Sequence, residues 1–262
     1  MAQVDVPLVG SRLGETRFGK TSRADNWWVQ PLFTFLGLGG FVVYATWGAL
    51  QGKNFTFGPY LSPFYSPVLF GDHSWFGARP EWIPVWVTGA MLVLWAPGGF
   101  RLTCYYYRGA YYKAFWADPP SCTVGEPRKK YLGERTFPLI VQNVHRYFMY
   151  LALIFIVILA LDAWHAMWFD GHFGIGVGTI VLTINAVLLG CYTLGCHSLR
   201  HIVGGFRDRL SGSPVRKEAY DCVSCLNRRH MMFAWFSLFW VAFSDIYVRM
   251  CAMGIWTDWR LF

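Results

Sequence analysis

Long apolar stretches separated by short polar ones set the pattern of this chain. Five stand out, at about residues 28–50, 82–107, 138–165, 174–203 and 228–254. Each is long enough to cross a hydrocarbon core, which takes roughly 20 helical residues. Backbone polar groups in lipid need internal partners, so each stretch is predicted to be helical. The expectation is an all-α integral membrane protein, a five-transmembrane-helix bundle. Trp27 and Trp28 open the first stretch, Trp164 and Trp168 close the third, and Trp256 and Trp259 follow the fifth. Indole rings in such places settle at headgroup level. Pro97, Gly98 and Gly99 predict a kink in the second stretch. The chain divides into an N-terminal segment (1–27), a membrane domain (28–256) and a short tail (257–262).

Composition strengthens this reading. The chain is 55% hydrophobic and only 15% charged, against about a quarter charged in ordinary soluble domains. Its first 25 residues are polar and of mixed charge, so no cleavable leader is expected. All of the 23 Lys and Arg except Lys53, Arg79, Arg249 and Arg260 fall in the N-terminal segment, in the 108–137 and 204–229 connections, or on the helix ends beside them. Positive segments stay in the cytoplasm. The expected topology is therefore N-terminus inside and C-terminus outside, which requires an odd number of spans. The net charge of +8 is mostly a topological signal, carried at the cytoplasmic edge by Arg108, Lys113, Arg128, Lys129, Lys130, Arg207 and Arg209. It does not point to nucleic acid, since no basic patch is interleaved with stacking aromatics.

Candidate chemistry lies on the predicted cytoplasmic side. Six of the seven cysteines and four of the seven histidines belong there. Cytoplasmic thiols stay reduced, which argues against a disulfide framework. Cys104 falls near the end of the second stretch and His145 near the start of the third. Cys196, His197 and His201 end the fourth, and His230 starts the fifth. Four helix ends thus bring thiol and imidazole ligands to one layer. His197 and His201 are four apart and share a helix face. Such a set suits a Rieske-type [2Fe–2S] centre, a haem or zinc. For a haem, Gly190 and Gly195 offer room beside the ring. Cys191 and Cys251 read as small apolar residues. "CVSC" at 222–225 is a lone CxxC in what reads as a charged loop.

At these residues the sequence resembles a known family. "RLTCYYYRGAYYKAFWADPPSC" (101–122), "NVHRYFMYLA" (143–152), "GCHSLRHIVGG" (195–205) and "LNRRHMMFAWFSLFWVAFSDIYVRM" (226–250) are similar to the single-chain membrane anchor of type F succinate dehydrogenase, the complex II variant of actinobacteria and some other bacteria. The resemblance runs from about residue 28 to 256. It implies an anchor subunit that docks a flavoprotein subunit and an iron–sulfur subunit on its cytoplasmic face, in a complex that can assemble further. Succinate oxidation belongs to the flavoprotein. Quinone, with menaquinone the expected species, is reduced in or beside the anchor. The resemblance implies a membrane-embedded Rieske-type [2Fe–2S] cluster, held by four of Cys104, Cys122, Cys196, His145, His197, His201 and His230. Cys104 and Cys196 with two of the histidines is the favoured set, and Cys122 is the reserve.

Polar residues inside apolar stretches are costly and mark function or helix pairing. Tyr147, Trp235 and Ser237 are candidates for a quinone pocket near the cluster layer. Asn185 falls midway along the fourth stretch, Asp162 lies near the end of the third, and Asp245 and Arg249 are spaced to pair with each other. Three competing functions remain at this point: a haem b anchor of a quinone-linked dehydrogenase, a zinc-dependent membrane protein, and a structural anchor with no cofactor. No HExxH motif is present, which weighs against a zinc protease of that type.

Overall fold

The computed structural model describes residues 18–71, 74–128, 135–137, 139–205, 207 and 209–262. Lys129 and Lys130 of the basic edge lie outside them, as does most of the N-terminal segment. The fold is mostly helical. Among the described residues, four helical segments are long and apolar enough to cross a membrane: α1 (Val29–Gln51), α5 (His145–His165) with the 3-10 turn Leu139–Val144 that leads into it, α6 (Val177–Leu194), and α9 (His230–Ala252). Their outward faces are apolar, with Phe33, Val43 and Val157 largely exposed. Such a surface suits a hydrocarbon surround rather than water.

The second predicted stretch is not one helix. It divides into α2 (Gly89–Val93), α3 (Trp95–Thr103) and α4 (Tyr105–Phe115), and residues 82–88 are not helical. Two local causes account for this. Pro97 has no N–H, so the Val93 carbonyl loses its i+4 donor and the helix is interrupted before the proline. Pro97 then sits in the first turn of α3, where a missing donor is tolerated. The expected kink at 97–99 is thus an interruption at Leu94. At Cys104 the backbone becomes extended (φ −64°, ψ 129°) and the chain turns into α4. The fourth stretch is likewise two helices. α6 stops at Leu194, Cys196 is extended (φ −64°, ψ 137°), and α7 (His197–Gly204) follows.

"CVSC" is not in a loop. It lies on α8 (Pro214–Arg228), which opens on Pro214 and ends one residue before α9. Residue 228, expected in the fifth span, therefore belongs to α8.

In the bundle α6 packs between α5 and α9, α3 packs on α5, and α1 packs on α4. One apolar core, including Phe100, Tyr107, Met149, Tyr192 and Leu238, fills the end where α5 and α9 begin. Two short hairpins close the opposite end: β1 (Thr56–Phe57) with β2 (Tyr60–Leu61), and β3 (Trp168–Phe169) with β4 (His172–Phe173). The C-terminal tail docks here. Ile175 exchanges backbone hydrogen bonds with Phe262, and the Arg260 guanidinium covers the Phe169 ring at 3.9 Å.

Asp245 and Arg249 pair as their spacing predicts. The Arg249 Nε donates to Asp245 at 2.7 Å, and both side chains are essentially sealed from the surface. Tyr44 and Ser62 also donate to the Asp245 carboxylate, while the Arg249 Nη atoms donate to the Gly48 and Lys53 carbonyls. Asp162 accepts from Ser66.

Candidate redox site

Four of the predicted ligands occupy the same kind of position, the start of a helix. Cys104 caps α4, His145 is the first residue of α5, Cys196 caps α7, and His230 is the first residue of α9. Helix starts carry unpaired N–H groups and the positive end of the backbone dipole. Four of them directed toward one core make a setting that favours a thiolate or another anion. The breaks at Cys104 and Cys196 are what turn these side chains inward. Both thiols are within a few per cent of full burial and belong to one apolar core.

The four side chains form two pairs. His145 Nε2 stands 3.2 Å from Cys196 Sγ, and His230 Nε2 stands 3.6 Å from Cys104 Sγ. A tetrahedral metal with a sulfur ligand at ~2.3 Å and a nitrogen ligand at ~2.0–2.1 Å sets the two atoms about 3.5 Å apart. The His230–Cys104 pair has that spacing, and the His145–Cys196 pair is closer than it. Among the described residues no three Cys, His, Asp or Glu gather as a mononuclear site would require. A binuclear centre asks for two ligands on each iron, which two pairs can supply. The donor set is that of a Rieske centre, two thiols and two imidazoles. The pairing differs, because each imidazole here is beside a thiol, whereas a Rieske centre puts both imidazoles on one iron.

Surrounding residues hold the imidazoles. Phe100 stacks on His145 at 4.9 Å, and Tyr192 stacks on His230 at 4.8 Å. The Thr103 hydroxyl donates to the Gly99 carbonyl at 2.7 Å, so it accepts from His145 Nδ1 at 2.9 Å. That bond fixes the Nδ1–H tautomer and leaves an Nε2 lone pair toward Cys196, as a metal-ligating histidine requires. His230 has no such brace, because its Nδ1 is buried without a partner. Thr103→Val is therefore expected to lower cofactor retention by roughly 10-fold or more, the usual scale for an outer-shell brace. Iron content of the purified complex checks this. Unchanged retention would mean the threonine only packs.

The remaining candidates stand outside the two pairs, although His197 and His201 line the same cavity as His145. His197 and His201 bond each other at 3.0 Å on the exposed face of α7. Burial first, then His201 and Arg200, holds the His197 imidazole below its ordinary pKa. Cys122 is exposed, as are Cys222 and Cys225 on α8. Gly195 accommodates α8: a Cβ there would stand 2.9 Å from the Cys191 carbonyl and 3.2 Å from the Leu226 backbone. The space it frees is taken by protein, not by a macrocycle.

The three quinone candidates line different cavities or none. Tyr147 is exposed beside His145, His197 and His201 on a cavity of about 740 Å³. Trp235 donates to Tyr106 at 2.6 Å and lines one of about 890 Å³ that also includes Lys113 and Cys122. Ser237 is fully buried and accepts from Arg101 Nη2 at 2.8 Å. Arg101 in turn ends an apolar cavity of about 540 Å³ between α1, α3, α5 and α6, walled by Phe100, Ala152 and Tyr192. Arg101, Thr103, Phe100 and Tyr192 were not among the sequence candidates. Only Arg101, a charge inside an apolar stretch, carried a signal.

Residues 29–254 match the model of a family described as actinobacterial succinate dehydrogenase subunit SdhC. A chain of the solved Mycobacterium smegmatis Sdh1 complex in the apo form is similar over 96% of this chain and 97% of its own, with 42% identity and a TM-score of 0.87. No curated protein matches the chain.

Proposed function

Because the chain belongs to the family of actinobacterial succinate dehydrogenase SdhC subunits, we propose that it is the membrane anchor and electron-transfer subunit of a succinate:quinone oxidoreductase. In this reading it seats a flavoprotein subunit and an iron–sulfur subunit on the cytoplasmic side of the plasma membrane. Succinate is oxidised on the flavoprotein, and electrons leave the complex on quinone, with menaquinone the expected species. The interrupted α2–α4 segment makes a fifth crossing beside the four long helices. Five crossings place the N-terminus inside and the C-terminus outside, as the charge asymmetry requires.

The single observation that carries the redox part is the pair of buried Cys–His contacts at four helix starts. Cys104, Cys196, His145 and His230 are the residues that would hold a [2Fe–2S] centre with the Rieske donor set. Bound there, such a centre would supply one-electron chemistry at a raised potential, since imidazole ligation makes reduction easier. The chain's own residues do the rest. Helix starts offset thiolate charge, Thr103 holds His145 in its ligating tautomer, and the apolar core keeps water away. Quinone enters from lipid along the cavity that ends at Arg101, whose rim includes the exposed Val42, Leu50 and Trp95.

Haem b is the competing cofactor. Against it, the Nε2 atoms of His145 and His230 each face a thiol, and each ring is stacked on an aromatic. Optical spectra of the purified complex test the point. A broad, weak absorption that bleaches on reduction is expected. A sharp Soret band that shifts on reduction, in stoichiometric amount, would replace this reading with a haem anchor.

A further inference from the structure

Two donors beside the Cys104–His230 pair lack what their chemistry demands. Arg101 is a half-buried cation at the end of an apolar cavity. Its described hydrogen bonds all go to neutral acceptors: the Tyr107 hydroxyl (2.8 Å), the Ala234 carbonyl (3.2 Å) and Ser237 Oγ (2.8 Å). No carboxylate among the described residues pairs with it. A guanidinium removed from water normally has a counter-charge. The second donor is Tyr192, almost fully buried, whose hydroxyl has no partner. Buried hydroxyls are rarely left so.

Both donors converge on one place. The Arg101 guanidinium lies over the Tyr192 ring at 4.6 Å, and that ring stacks on His230. Cys104 Sγ is 3.6 Å from the same imidazole. Neighbouring groups do not substitute for the missing acceptor. Tyr107 donates to the Ala234 carbonyl, and Ser237 does too. A cation without an anion and a hydroxyl without an acceptor, both at one ligand pair, describe a pocket built around an acceptor that bears negative charge.

We infer that Arg101 and Tyr192 are positioning residues for the redox centre, stabilising its electron-loaded form at the Cys104 end through charge and a hydrogen bond. The inference rests on the cluster reading above. Adding one electron makes the centre more negative, so a nearby fixed cation and a donor to sulfur both favour reduction. Removing either lowers the potential without removing a ligand.

The test is a redox titration of the EPR signal in the intact purified complex, for native protein, Arg101→Gln, Arg101→Lys and Tyr192→Phe. Arg101→Gln is expected to shift the reduction equilibrium at least about 10-fold toward the oxidised form, ~59 mV for one electron. Arg101→Lys keeps the charge and restores most of that shift, while Tyr192→Phe produces a shift of several-fold. Iron and sulfide content stay at the native level throughout. Native potentials in both Arg101→Gln and Tyr192→Phe, with iron retained, overturn the inference. If Arg101→Gln does not assemble, Tyr192→Phe decides, and a native potential there with iron retained overturns it. A native complex with no membrane iron signal is a different failure, that of the cluster reading itself.

Discussion

Cys196→Ser is expected to cut succinate:quinone reductase activity on the order of 100-fold or more, beyond the 10–100-fold typical of outer-shell changes. Cys196 is 1% exposed and its sulfur faces the lone pair of His145. A serine oxygen is a harder, less polarisable ligand and is poorly matched to an iron–sulfur centre. His145→Ala removes the other member of the same pair and should behave alike. Succinate oxidation by a soluble dye should persist in both, because that chemistry belongs to the flavoprotein of the complex. Cys251→Ser and Cys222→Ser are the controls. Cys251 is packed with Val181 and Tyr247, and Cys222 is exposed on α8, so neither should change quinone reduction. Equal losses in Cys251→Ser and Cys196→Ser would show that thiol burial, not ligation, was being measured.

The second large effect is on stability. Asp245→Ala leaves Arg249 buried without its anion. Breaking such a pair costs about 3–5 kcal/mol. The loss is spread over a network: Tyr44 and Ser62 lose their shared acceptor, and α9 loosens from the end of α1. The double change Asp245→Leu with Arg249→Met should cost less than Asp245→Ala alone, because it leaves no uncompensated charge. The thermal transition of the detergent-purified complex checks both. If the double variant were the less stable, the pair would be stabilising in its own right rather than merely costly to break.

Much of this architecture was legible because lipid permits so few structures. Length and apolarity located α1, α9, α5 with its leading 3-10 turn, and the start of α6 to within a few residues. The same signal could not see the interruptions at Leu94, Cys104 and Gly195. Hydropathy averages over a window, whereas these breaks come from single residues: a proline without an N–H, an extended cysteine, and a glycine that lets α8 approach. For the same reason the charged "CVSC" segment read as a loop, although α8 begins on a well-placed proline. Those breaks also bring Cys104 and Cys196 into one buried core. The sequence narrowed the candidate ligands to seven residues, six of them at one depth and Cys122 in a loop. Choosing among them needed side-chain direction: His197 and His201 point outward on α7, while Cys196, one residue earlier, points inward. The bracing residues Thr103, Phe100 and Tyr192 were hidden because they look like ordinary membrane-helix residues.

Iron and acid-labile sulfide in the intact detergent-purified complex, native against a Cys104→Ser/Cys196→Ser double variant, test the central claim most directly. The native complex should exceed the variant by the two irons and two sulfides of a [2Fe–2S] centre per SdhC chain, and its succinate-reduced rhombic EPR signal should vanish in the variant. Identical iron, sulfide and EPR signals in the two assembled complexes would contradict the account.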